Sequence, residues 1–156
     1  MPYLRELYLG GNRGLSSTIL TFWGQSNVMQ YVNMSSCSLV GNVPLFNSSS
    51  LREVYLQDNA LAGTISGFVK ANAMSILQLQ KNLLTDAIPN NIGNMAGSLR
   101  SLDLSYNRLT GTLPPGFGSL VYLSNVRLNN NGISGHLPNM ALFTYLQFFY
   151  GFSTQL

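Results

Sequence analysis

The chain has 156 residues, 46% of them apolar and only 8% charged, with a net charge of +3. That is far fewer charges than the ~25% of a usual soluble domain, but too much apolar matter for a disordered chain. The basic residues are scattered singly with no aromatic interleaving, which argues against nucleic acid as a partner, and no apolar run reaches the ~18 residues of a membrane span.

The predicted elements form a series. "LRELYLGGN" (4–12) is a short period-two alternation that closes on Asn. "MQYVNMSSC" (29–37) repeats it with Cys in the last place, and "SLVGNVP" (38–44) follows. Then come "LREVYLQDN" (51–59) with "ALAGTIS" (60–66), and "MSILQLQKN" (74–82) with "LLTDAIP" (83–89). "LRSLDLSYN" (99–107) with "RLTGTLP" (108–114), and "LSNVRLNNN" (123–131) with "GISGHLP" (132–138), complete six copies. A seventh begins at Leu146, so the starts at 4, 29, 51, 74, 99, 123 and 146 are 22 to 25 residues apart. A period of this length is the mark of a solenoid, in which each unit buries its apolar face only against its neighbours.

Each position in L-x-x-L-x-L-x-x-N-x-L-x-G-x-I/L-P has a physical task. The L-x-L alternation predicts a strand with one buried face, stacked on the next copy in a parallel sheet. The column Asn12, Cys37, Asn59, Asn82, Asn107 and Asn131 falls where the chain leaves the strand. There, buried backbone groups need partners, and an Asn amide supplies both donor and acceptor. Asn130, next to that column, is expected to face water. The glycines permit backbone conformations that a Cβ opposes. Pro44, Pro89, Pro114 and Pro138 end the second extended piece. Phe68, Val69, Ile92, Phe117 and Leu142 are expected to close the core from the convex side.

This unit resembles the leucine-rich repeat, and its L-x-G-x-I/L-P segment looks like the plant-specific form found in ectodomains of receptor-like kinases and receptor-like proteins. The resemblance runs from residue 4 to about 150. It implies an α/β repeat fold: a right-handed solenoid with a concave parallel β-sheet, a short second sheet, and a few short 3-10 or helical turns on the convex side. It also implies an extracellular or cell-surface location and recognition of a peptide, a steroid, a cell-wall component or a partner ectodomain, with a peptide or protein the expected ligand and a co-receptor ectodomain a further partner. Departures are the absent signal peptide, cysteine-paired caps, span and kinase motifs, with Ser66 for Pro and Asp86 for Gly. The chain therefore reads as one array, 1–156, cut from a longer protein. Its apolar C-terminal stretch, with Phe143, Leu146, Phe148, Phe149 and Phe152, is then open to self-association. A secreted inhibitor of cell-wall-degrading enzymes and an intracellular scaffold are the other readings of the same pattern.

The expected ligand-binding face is built from the outward strand positions: Tyr8, Tyr31, Tyr55, Gln57, Gln78, Gln80, Asp103, Tyr106, Arg127, Asn129 and Tyr150. Tyrosine is enriched at interfaces because it joins a large contact area to a polar tip. Tyr55, Gln78, Asp103 and Arg127 are expected to be exposed, beside a buried row of Leu56, Leu79, Leu104 and Leu128. Arg127 reads as a surface arginine. The Arg-x-Arg pair by which some receptors of the family hold a peptide C-terminus is absent, because residue 129 is Asn. Asn33 and Asn47 begin glycosylation sequons; a glycan at Asn33 would displace ligand contact toward Gln78 and Arg127. Cys37 reads as a buried thiol and His136 as a lone surface histidine. The five acids form no pair, triad or metal spacing. The chain is expected to be no enzyme and to need no cofactor or metal.

Overall fold

A computed structural model describes residues 3–19, 25–68 and 70–151. Ten strands are present among them: β1 Glu6–Tyr8, β2 Tyr31–Asn33, β3 Val40–Asn42, β4 Glu53–Tyr55, β5 Ala60–Gly63, β6 Ile76–Gln78, β7 Leu83–Leu84, β8 Ser101–Asp103, β9 Asn125–Arg127 and β10 Phe148–Tyr150. One strand from each unit joins a seven-stranded parallel sheet in the order β1-β2-β4-β6-β8-β9-β10, and β3-β5-β7 form a second, three-stranded sheet. The helical content of the described residues is five short 3-10 turns, among them Ser66–Phe68, Asn90–Met95 and Pro115–Ser119.

The register is in phase throughout. Leu7, Val32, Val54, Leu77, Leu102, Val126 and Phe149 pair in one line across the large sheet. A second apolar column, Met34, Leu56, Leu79, Leu104 and Leu128, is wholly buried, and a third, Met29, Leu51, Met74, Leu99 and Leu123, nearly so. Burial of such side chains stabilises by roughly 1.5–3 kcal/mol each, and the columns join in one core cluster that runs along the coil. The convex side is closed by Phe46, Phe68, Ile92 and Phe117, with Phe46 and Phe68 stacked at 5.4 Å. In the last unit the expected Leu142 is 51% exposed and Phe143, 6% exposed, takes the place, 6.2 Å from the Phe117 ring. The 3-10 turn Met140–Leu142 accompanies the shift by one residue: Met140 packs partly against the core, Ala141 and Leu142 are exposed, and the next side chain turns in. Val69 and Phe152 lie outside the described residues.

The asparagine column does what the turns require. Asn59 Nδ2 donates to the carbonyl of Leu56 in its own unit (3.0 Å) and of Met34 in the preceding one (2.9 Å). Its Oδ1 accepts from the backbone N–H groups of Cys37 and Leu39 (both 3.0 Å). Asn82, Asn107 and Asn131 repeat the pattern: Nδ2 reaches back to Leu56, Leu79 and Leu104, while Oδ1 accepts from the N–H of Leu61, Leu84 and Leu109. Cys37 keeps part of it, with Sγ 3.0 Å from the Leu9 carbonyl oxygen. Asn12, at the exposed first turn, donates to Leu9 at 2.7 Å.

The residue before the column is left-handed in each regular unit: Ser36, Asp58, Lys81, Tyr106 and Asn130 have φ between 52° and 56°. L-residues pay roughly 1–2 kcal/mol for this conformation, and the paired amide of the next Asn holds it. In the second sheet Gly63 has φ 73°, and a Cβ there would come within 2.7 Å of the Asn42 amide oxygen of the preceding unit. Asp86 fills the equivalent place with φ 64°, which Asp tolerates better than most residues.

Asn107→Ala removes a donor and an acceptor that tie two successive units together and is expected to cost about 1–3 kcal/mol. Asn130 is exposed, as its sequence position suggests, but its φ of 56° makes Gly rather than Ala the proper comparison. Urea denaturation should therefore show a clearly lower midpoint for Asn107→Ala and a nearly unchanged one for Asn130→Gly; equal midpoints would contradict the ladder.

Candidate functional site

Because side chains alternate across a strand, the non-core positions of the large sheet form two outward rows. By strand register, one row runs Glu6, Tyr31, Glu53, Ile76, Ser101, Asn125 and Phe148. The other runs Tyr8, Asn33, Tyr55, Gln78, Asp103, Arg127 and Tyr150. The first three strands carry an aromatic ladder. Tyr8 stacks on Tyr31 at 4.4 Å, and Tyr31 lies 5.6 Å from Tyr55. Each outer tyrosine gives its hydroxyl to the glutamate two residues back, Tyr8 to Glu6 at 3.0 Å and Tyr55 to Glu53 at 2.9 Å. The hydrogen bond to Glu6 raises the Tyr8 pKa above its ordinary value. Burial first, then the hydrogen bond to Glu53 and its charge, push Tyr55 up to about 12.

The centre of the face is uncharged. Gln78 donates to the Ser101 hydroxyl at 3.1 Å. The side-chain oxygens of Gln57 and Gln80 are shielded from solvent and accept no hydrogen bond among the described residues.

At the other end Arg127 lies 3.6 Å from Asp103, and its guanidinium sits 5.4 Å from the centre of the Tyr150 ring. Asp103 is not the exposed contact expected of its position. It is 4% exposed, and its Oδ1 accepts from the backbone N–H (3.0 Å) and hydroxyl (2.6 Å) of Ser105. The small Ser105 lets the carboxylate fold back along its own strand, so Asp103 orients Arg127 from below. Tyr106, 53% exposed, stands at a left-handed turn, while Tyr55, Gln78 and Asn129 are half-buried and Arg127 and Tyr150 exposed.

A flank that the motif does not mark carries more aromatic surface. Arg100 lies 4.7 Å over the Tyr122 ring, and Tyr122 packs 5.6 Å from Tyr145. The only sequence signal for it is a Tyr just before the first Leu of two successive units. The two sequons differ sharply. Asn33 is tied down, its Oδ1 accepting from the N–H and hydroxyl of Ser35 at 3.1 and 2.8 Å, whereas Asn47 and Ser49 are exposed on a loop.

The Tyr55 phenol gives a direct reading of this geometry. Its folded pKa lies above the ordinary 10.0, so its contribution to stability is complete below pH 10 and is lost as pH rises toward 12. The difference in tyrosinate absorbance between wild type and Tyr55→Phe should place this group near 12. Glu53→Gln should lower it; an unchanged value would remove Glu53 as its partner.

A family model described as Leucine Rich Repeat matches residues 98–120. Receptor-like protein 41 of Arabidopsis thaliana is 37% identical over 164 residues, a match covering 86% of this chain and 18% of that protein. The chain thus spans a small part of this curated relative. Among solved structures, the plant peptide hormone receptor RGFR1 in complex with RGF2 superposes with a TM-score of 0.83 at 26% identity, covering 88% of this chain and 23% of that one. The Arabidopsis receptor kinase HAESA, in complex with the peptide hormone IDA and the co-receptor SERK1, gives 0.81 at 26% identity, over 97% of this chain and 30% of that one. With one coil repeated from β1 to β10, matched as a motif in its fifth unit and as a fold along nearly all its length, the chain belongs to the leucine-rich-repeat family in its plant-type form.

Proposed function

We propose that the chain is part of the recognition module of a plant cell-surface receptor and takes a peptide or protein ligand on its concave face, outside the cell. The observation that carries this is the division of labour within each unit. The apolar columns and the Asn column hold the coil, which leaves two outward rows that are mostly polar or aromatic, with Tyr, Gln, Asn, Glu and Arg beside Ile76, Ser101, Phe148 and the buried Asp103. Such a surface is rich in the residues that dominate binding energy, and solenoids present it as an extended concave platform. The RGFR1 and HAESA structures, each solved with a peptide hormone, support the reading by likeness. HAESA was solved with a co-receptor as well, so a partner ectodomain is a second ligand class for this chain. No helix among the described residues is long and apolar enough to cross a membrane.

Peptides selected against the folded chain from a random display library test this. Binding should weaken roughly tenfold or more in Tyr55→Ala or Arg127→Ala, a loss of hot-spot size, and stay unchanged in His136→Ala. Peptides that bind all three variants alike would place recognition elsewhere.

The exposed sequon follows the same logic. Expressed through a plant secretory pathway, the chain should carry a glycan at Asn47, away from the outward rows, and little at Asn33. Peptide mass spectrometry after glycosidase treatment reads the occupancy of each site directly.

A further inference from the structure

We infer that the first three strands of the large sheet form a subsite for an arginine side chain of the ligand. The inference deepens the peptide-binding reading above and rests on it. Glu6, Tyr31 and Glu53 lie side by side in one row, by the pairing of β1 with β2 and of β2 with β4. Tyr8 and Tyr55 stand in the adjoining row, each bound through its hydroxyl to one of these carboxylates. The result is a ladder of three rings between two carboxylates, with Tyr8 61% exposed.

Neither carboxylate has a cationic partner among the described residues. The ion pairs among the described residues are Lys81 with Asp58 and Arg127 with Asp103, both elsewhere. Arg5 and Arg52 precede the two glutamates in sequence and are exposed, yet neither forms an ion pair with them. A tyrosine hydroxyl uses one acceptor site of a carboxylate that offers about four, so each glutamate keeps capacity for a further donor. Ring faces attract cations, and carboxylates beside them add charge. A planar guanidinium suits this place better than an ammonium, since it can stack on a ring while its fork meets a carboxylate. Toward the opposite end of the face the carboxylate, Asp103, is buried and already paired with Arg127, so that end offers a basic residue no free carboxylate.

Two blocked tripeptides serve as probes, Gly-Arg-Gly and its neutral isostere Gly-citrulline-Gly, titrated into the isotopically labelled chain. The arginine probe should bind about fivefold more tightly, a difference of the size a cation gains over exposed rings. It should shift the amide signals of Tyr31 and Glu53 and leave those of Arg127 and Tyr150 in place. Glu6→Gln with Glu53→Gln should erase the preference for arginine; Glu53→Gln alone keeps a side chain of the same shape and guards against misfolding of the double variant. Equal binding of the two probes, or a preference that survives both substitutions, overturns the subsite even if library peptides bind the concave face. Arginine preference at Glu6 and Glu53, with library peptides indifferent to Tyr55→Ala and Arg127→Ala, keeps the subsite and overturns the wider reading.

Discussion

A chain that turns inward at the end of every strand must find partners for backbone groups that water cannot reach, and in this coil one amide per unit supplies them. Asn59, Asn82, Asn107 and Asn131 each join their own turn to the turn before, so the column is a continuous seam rather than a set of local caps. The left-handed residue ahead of each Asn is tolerable because that seam fixes it. Cys37 shows how much the seam can lose. A thiol gives a weak donor and no amide oxygen, yet Asn59 of the next unit still reaches the Cys37 and Leu39 N–H groups.

The seam frees the outward rows from structural duty, and their chemistry is graded along the coil. One end gathers rings and carboxylates, the middle holds neutral amides, and the far end presents a guanidinium backed by a buried carboxylate and flanked by Tyr150. A ligand lying along such a face meets different chemistry at each end and has one preferred direction.

The architecture was legible in the sequence because it rests on identity at fixed spacing. The buried row of Leu56, Leu79, Leu104 and Leu128 and the Asn column stand where the period puts them. The second sheet likewise follows the L-x-G segment. The fate of individual outward residues was less legible, since it depends on neighbours across rungs. Asp103 reads as exposed by position but is buried by what Ser105 permits. Phe143 replaces Leu142 because convex segments vary in length and carry no strict period. The tyrosine–glutamate pairs were within reach, as Glu-x-Tyr occurs at Glu6–Tyr8 and at Glu53–Tyr55. Their meaning appears only when Tyr31 is set between them.

The strand spacing also sets a scale. Neighbouring rungs are about 4.8 Å apart, so Glu6 and Glu53, two rungs apart along the row, are separated at the backbone by roughly 9.6 Å. A polyproline II chain returns the same side every third residue, about 9.3 Å further on. A proline-rich peptide laid along the coil axis therefore keeps step with alternate rungs, presenting residues i and i+3 to the two glutamates. A fully extended strand, whose side chains come back every second residue at about 6.7 Å, drifts out of step within one rung. The coil is thus a vernier whose spacing matches one backbone repeat and misses the other.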